Sequence, residues 1–214
     1  MFQLSVRTDA ARSQAVKSMN VSAEQCKAAS HGHIPGEAGI WLFIFGDMMV
    51  FTVFFLIFLY YRGEDAALFI QSQRYLSQPL GVLNTLLMLT SSWFVASGIR
   101  AARFDKGRQA ATGFILAFLC GFAFGIIKFI EYSSKFHAGI TLNTNNFFMC
   151  YYMFTGIHFV HVLLGMVLLS FMARYSWASS NTSQKISFLE IGASFWHLVD
   201  LLWIVLFALL YLVK

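Results

Sequence analysis

The sequence predicts an all-α fold: an integral membrane bundle of five transmembrane helices. The chain has 214 residues, of which 58% are hydrophobic and only 12% are charged, whereas a soluble domain carries about a quarter charged residues. Five apolar runs are each long enough to cross the hydrocarbon core of a bilayer, which takes about 20 helical residues. The connections between these runs are too short to form a domain, so nearly all of the fold is expected inside the membrane.

Each apolar run is expected to be a helix, because backbone amides in lipid must be hydrogen-bonded within their own segment. The third run carries Gly113, Ala117, Gly121 and Gly125 at four-residue spacing. These small residues form one face and let a neighbouring helix approach closely. The five predicted helices are Gly39–Tyr61, Leu80–Ile99, Thr112–Ile130, Phe147–Met172 and Ile191–Val213.

The basic residues predict the orientation of the bundle. Residues 1–34 contain no apolar segment and are expected to form a polar cytoplasmic tail, followed by a membrane domain over residues 35–214. Ten of the fifteen Lys and Arg residues lie in this tail or in the connections after the second and fourth helices. Lys and Arg concentrate in cytoplasmic segments, so the N-terminus is predicted in the cytoplasm and Lys214 outside. The net charge of +5 therefore reflects membrane orientation, and no nucleic-acid partner is expected.

Several ionisable side chains fall inside the predicted spans and are the candidate functional residues. Such groups are costly in lipid, so they normally face the protein interior and have partners there. A carboxylate in the first helix, flanked by apolar neighbours, is expected to be a lone desolvated acid. The candidates are Asp47 in the first helix, Glu131 at the outer end of the third, His158 and His161 in the fourth, His197 and Asp200 in the fifth, and Glu190 at the cytoplasmic mouth of the fifth.

Helical spacing arranges most of these candidates in two stripes. His158 and His161 are three residues apart and share a face of the fourth helix. His197 and Asp200 are also three apart, and Glu190 lies seven residues before His197. A histidine stripe and an acid-bearing stripe on successive helices predict hydrogen bonds across the interface between them.

Three chemical interpretations of the stripes remain open from the residues alone. The first is haem ligation by His158 or His161 together with His197, and the second is proton transfer along Asp, Glu and His side chains. The third, which is favoured, is a polar network that fixes the register of the helices. The three cysteines are isolated from one another, so neither a zinc site nor a dinuclear copper site is indicated.

Four motifs resemble those of a known family. The first helix opens with Pro-Gly-Glu-Ala-Gly-Ile-Trp at 35–41, and the third ends in Lys-Phe-Ile-Glu-Tyr at 128–132. The fourth contains Thr-Gly-Ile-His-Phe-Val-His at 155–161, and the fifth contains Trp-His-Leu-Val-Asp-Leu-Leu-Trp at 196–203. Together they resemble subunit III of the haem–copper oxidases, the family that includes cytochrome c oxidase and quinol oxidase subunit III. The resemblance runs from about residue 35 to residue 213.

The resemblance also suggests a branch of the family. Mitochondrial members have seven helices, whereas this chain has only the last five, as in bacterial quinol oxidases. The Pro-Gly-Glu entry and the Asp-Leu-Leu-Trp-Ile run beginning at Asp200 are most similar to the NorE-like accessory subunit found with bacterial nitric-oxide reductases. Asp47 stands where the family has a buried carboxylate.

The resemblance implies a non-catalytic subunit of an oxidase or nitric-oxide reductase complex in a bacterial inner membrane. Such a subunit holds no redox centre of its own and lies against a haem-bearing catalytic subunit. It binds phospholipid between its helices and sustains proton uptake over many turnovers. The alternative function is an independent transporter or proton channel, for which paired broken helices would be expected. The two prolines of the chain do not form such a pair.

Overall fold

The computed structural model describes residues 38–178 and 183–213, so the predicted tail over residues 1–34 lies outside the described residues. Within these two ranges every regular element is helical. The helices are α1 (Ala38–Glu64), α2 (Ala66–Gln73), α3 (Gln78–Arg103), α4 (Gly107–His137), α5 (Asn146–Ala178) and α6 (Ser183–Phe207), which continues as a π-helical turn (Ala208–Leu212).

The prediction of five transmembrane helices is confirmed. Among the described residues five helices, α1, α3, α4, α5 and α6, are long and apolar enough to cross a membrane. Most are longer than predicted, and α4 continues past Ile130 to His137. Hydropathy marks only the part of a helix that crosses hydrocarbon, whereas the helical hydrogen bonding continues into the interfacial region.

The spans differ in how deeply they are enclosed. In α6, 61% of the apolar window is buried within the bundle, against 11% in α1. The last span is therefore the centre of the bundle, packed against α3 and α5, and its Trp196 and Trp203 side chains reach α4. The first span, α1, lies at the edge beside α5 and α6. Most of the α1 surface is left for lipid or for another membrane subunit.

Close helix contacts depend on the small residues, as the sequence predicts. A Cβ added at Gly113 would lie 3.1 Å from the Cα of Gly98, so α3 and α4 cross almost backbone to backbone. Gly121 and Gly165 have a different role, because they make room for an indole ring. A Cβ at Gly121 would lie 2.9 Å from Trp196, and one at Gly165 only 2.6 Å from it. Trp196 of α6 thus fills a slot between α4 and α5.

A small element not predicted from sequence fastens one end of the bundle. The short helix α2 is capped at its N-terminus by Asp65, whose side chain accepts a hydrogen bond from the Leu68 backbone amide. The side-chain amide of Gln73, at the end of α2, donates hydrogen bonds to the Leu210 carbonyl at 3.2 Å and to the Val213 carbonyl at 2.8 Å. These contacts tie the connection between α1 and α3 to the π-helical turn. A π-helical turn leaves carbonyls outside the ordinary helical pattern, and the glutamine satisfies them.

Candidate functional site

The first polar cluster joins α1 to α5. Asp47 Oδ1 lies 3.0 Å from His161 Nε2, and the two side chains are 10% and 15% exposed. The other ring nitrogen, Nδ1, lies 2.9 Å from the Ile157 carbonyl of its own helix. A carbonyl only accepts, so Nδ1 carries a proton, and the contact with Asp47 holds one further proton on either partner. The Asp47–His161 pair therefore has no net charge, which suits its apolar surroundings.

The expectation that Asp47 is a lone carboxylate is thus wrong. Its partner lies on a helix that is distant in sequence, and helical spacing along α1 carries no information about that helix. His161 was expected to face the acid-bearing stripe of α6, but both of its ring nitrogens are engaged elsewhere. The pair fastens the least enclosed span to the rest of the bundle.

The second cluster lies near the opposite end of the bundle, and we call it the lysine–glutamate cluster. It comprises Lys128, Glu131 and Lys135 of α4, with the hydroxyls of Tyr151 and Tyr211. Each lysine donates to a different Glu131 oxygen at 2.8 Å, and the three charged side chains are only 3–6% exposed. The Tyr211 hydroxyl donates to Glu131 Oε1 at 2.8 Å and accepts from Lys128 at 3.2 Å.

Aromatic faces surround the Lys128 ammonium group. Its Nζ lies 4.7 Å from the ring centre of Trp203, 5.5 Å from that of Tyr151 and 5.6 Å from that of Tyr211. Ring faces attract cations at these distances, most strongly where water is excluded. These contacts, together with Glu131, offset part of the cost of burying a charged Lys128. With two ammonium groups sharing one carboxylate, the cluster carries a net charge of +1.

Sequence reasoning found only part of this cluster. Glu131 was a candidate site residue, whereas Lys128, Lys135 and the two tyrosines were not. The signal was present in the spacing, because Lys128, Glu131 and Lys135 stand at i, i+3 and i+7 and so share a helix face. Lys135 was misplaced because α4 was expected to end at Ile130, whereas it continues to His137.

The predicted hydrogen bonds between the two stripes are not formed. His158 is fully buried, with Phe124 at 5.9 Å and Trp203 at 5.4 Å between ring centres. Neither of its ring nitrogens has a hydrogen-bond partner within the described part of the chain. His197 turns towards α3 instead, where its Nδ1 lies 2.6 Å from the Ser92 hydroxyl.

The remaining members of the α6 stripe also face α3, Asp200 towards the Ser92 hydroxyl and Glu190 towards Arg103. Glu190 forms an ion pair with Arg103 at the end of α3, with Nη2 and Oε1 2.8 Å apart. Asp200 is 5% exposed, and its Oδ1 has no hydrogen-bond partner among the described residues. A polar face on the central helix cannot reveal which of its neighbours it meets, and for this reason the predicted α5–α6 network is wrong.

A prediction follows for the Asp47–His161 pair. Asp47→Leu should cost about 1–3 kcal/mol, the usual penalty for a buried polar group left without a partner. Asp47→Asn should assemble normally, because its amide can donate to a neutral His161. The double change Asp47→Leu with His161→Leu should cost less than the sum of the single changes. Thermal unfolding of the four variants and the wild type in detergent measures this, and strict additivity would contradict the pairing.

Fold and clusters together define a multi-pass membrane protein whose buried ionisable residues join one helix to another. In the described ranges no three His, Cys, Asp or Glu side chains come together as a metal site. The family model described as cytochrome c oxidase subunit III matches residues 16–214. The chain belongs to the haem–copper oxidase subunit III family.

Individual relatives agree with this assignment. Over 184 residues the chain is 30% identical to cytochrome c oxidase subunit 3 of Synechocystis sp., covering 85% of this chain and 78% of that protein. It is 24% identical over 197 residues to a probable quinol oxidase subunit 3 of Staphylococcus saprophyticus, covering 91% and 97%. It is also 24% identical over 177 residues to cytochrome bo(3) ubiquinol oxidase subunit 3 of Buchnera aphidicola, covering 81% and 92%.

Proposed function

We propose that this chain is the non-catalytic third subunit of a respiratory haem–copper oxidase in a bacterial inner membrane. It lies against the haem-bearing catalytic subunit, stabilises it, holds phospholipid and sustains its proton uptake. The observation that carries the proposal is the family match over residues 16–214. The structure supports a non-catalytic role, because most of the buried ionisable residues contact other helices of this chain.

The edge position of α1 supports the proposed partner. Its outward side chains are apolar and open, with Leu42 77% and Phe45 73% exposed. Such a surface is stable only against lipid or another membrane protein. A neighbouring catalytic subunit and its boundary lipids would cover it.

A groove between α5 and α6 supports phospholipid binding. It has a volume of about 490 Å³ and is lined by Phe171, Arg174, Tyr175 and Phe188. The aromatic rings offer contacts to an acyl chain, and the guanidinium of Arg174 can bind a phosphate through paired hydrogen bonds. This groove is the proposed lipid site of the subunit.

The relatives bear on which complex the subunit serves. Those named above are subunits of cytochrome c oxidases and of quinol oxidases, and we propose an oxidase of one of these two kinds. The nitric-oxide reductase branch rests on the Pro-Gly-Glu and Asp-Leu-Leu-Trp-Ile motifs alone and stays a prediction.

Purification in mild detergent tests the proposal. A large subunit whose haem gives a Soret band should co-purify with the tagged chain. When the two subunits are separated, the haem should remain with the large subunit. A colourless lone oligomer that moves ions would instead support the transporter or channel alternative.

The proposed orientation has its own test. Alkaline phosphatase is active only outside the cytoplasm, so a fusion after Lys214 should be active in a bacterial host. A fusion at Lys106, in the connection between α3 and α4, should be inactive. The reverse pattern would overturn the orientation that the basic residues predict.

A further inference from the structure

The lysine–glutamate cluster extends from one end of the bundle into its interior. Lys135 lies two residues before the end of α4 at His137, and Lys128 lies nine residues before it. With a rise of 1.5 Å per residue, the cluster reaches from that end about 14 Å into the bundle. Its charged groups are nevertheless almost completely buried.

A cavity lined by both polar and apolar side chains lies at this end of the bundle. The cavity has a volume of about 450 Å³, and its wall includes Gln73, Arg74, Gln78 and Tyr211. Tyr211 is the contact between the two, because it lines the cavity and its hydroxyl bonds both Glu131 and Lys128. Water at the bundle end can therefore come within one side chain of the buried charges.

On the inner side of the cluster, polar groups continue towards the other half of the bundle. The Trp203 ring has the Lys128 ammonium 4.7 Å from its centre and packs against the His158 ring at 5.4 Å. His158 lies one helical turn from His161, the partner of Asp47. Buried Asp, Glu and His side chains are the groups along which protons move in membrane proteins. Lys128, Trp203 and His158 thus form a row of side chains between the cavity and the Asp47–His161 pair, and neither nitrogen of His158 has a hydrogen-bond partner among the described residues.

We propose that the net positive charge of the lysine–glutamate cluster is an electrostatic barrier that prevents protons from passing between the Tyr211 cavity and His158. Charges interact strongly in the low dielectric of a protein interior, and a fixed positive charge is a known means of excluding protons and cations from a polar pore. Lys128 contacts both Tyr211, which lines the cavity, and Trp203, which packs against His158. This function goes beyond the proposed oxidase role and does not depend on it.

The test uses the full chain, reconstituted in liposomes that enclose a pH-sensitive dye, with a potassium gradient and valinomycin to drive protons. Lys128→Met removes the surplus charge, keeps a side chain of similar length and leaves the Glu131–Lys135 pair neutral. We expect passive proton entry to rise about tenfold, which corresponds to about 1.4 kcal/mol of barrier. Lys135→Met, which removes a charge nearer the bundle end, should give a smaller rise and serves if Lys128→Met does not fold.

Tyr211→Phe is the matched control. It removes the hydroxyl that contacts both Lys128 and Glu131 but leaves the net charge at +1, so its liposomes should stay as tight as those of the wild type. The barrier is supported if protons enter liposomes with the lysine variants faster than wild-type liposomes, while liposomes with Tyr211→Phe stay as tight as the wild type. Tight, folded lysine variants would overturn it, and so would an equal leak in Tyr211→Phe, because packing alone would then explain the effect.

Discussion

Replacing Glu131 by leucine should lower the free energy of unfolding by about 3–5 kcal/mol, because it leaves two buried ammonium groups without their carboxylate. Lys128 and Lys135 are 3% and 6% exposed at the side chain, so water cannot take over the role of Glu131. Titration with a denaturing detergent in mixed micelles, followed by tryptophan fluorescence, measures the change. A loss below about 1 kcal/mol, the size typical of exposed ion pairs, would mean that water reaches the lysines.

The matched control removes the whole cluster at once. A triple variant with Glu131→Leu, Lys128→Met and Lys135→Met leaves no buried charge unpaired. It should recover most of the lost stability, because buried ion pairs can often be replaced by apolar residues at little cost. If the triple variant is no more stable than Glu131→Leu alone, the loss arises from packing and not from the stranded charges.

Trp196→Ala should cost about 3–5 kcal/mol, since it opens a cavity at the centre of the bundle where no other side chain can fill the space. The ring is fully buried in the slot formed by Gly121 and Gly165. The same unfolding titration measures the loss. A cost below about 2 kcal/mol, the lower end for large-to-alanine changes in a core, would mean that the helices collapse into the slot.

The slot can be tested from its other side. Gly165→Ala puts a methyl group 2.6 Å from the indole and should cost about 1–3 kcal/mol through overpacking. In the Trp196→Ala background the same change should cost much less, because the clash is gone. Gly156→Ala on the same helix is the control, since nothing lies within 4 Å of the added methyl group. It should be neutral or slightly stabilising.

The number and position of the spans could be predicted because the bilayer imposes one strong constraint on length and polarity. The same constraint allowed Gly113 to be predicted as a site of close helix approach. The structure confirms this, because a Cβ added at Gly113 would lie only 3.1 Å from the Cα of Gly98. Neither inference requires knowledge of which helices are neighbours. For this reason both could be drawn from one sequence.

The candidate site depends on neighbours, and there the predictions were only partly right. Asp47 and Glu131 were recognised as buried acids, but their partners could not be found from periodicity within one helix. His197 was assigned to the wrong interface, because α6 is enclosed on several sides and its polar face meets Ser92 of α3. Lys135 was assigned to a loop because hydropathy does not show how far a helix continues beyond the hydrocarbon.

The Asp47–His161 pair has a consequence for biosynthesis. The two residues are 114 positions apart, which at ordinary translation speeds of about 5–20 residues per second means a delay of roughly 6–23 s between their syntheses. During that interval the first span must reside in the insertion machinery or the lipid with an unpaired carboxyl group. It can take its final place only after two further spans have emerged and the fourth of the five has brought the histidine.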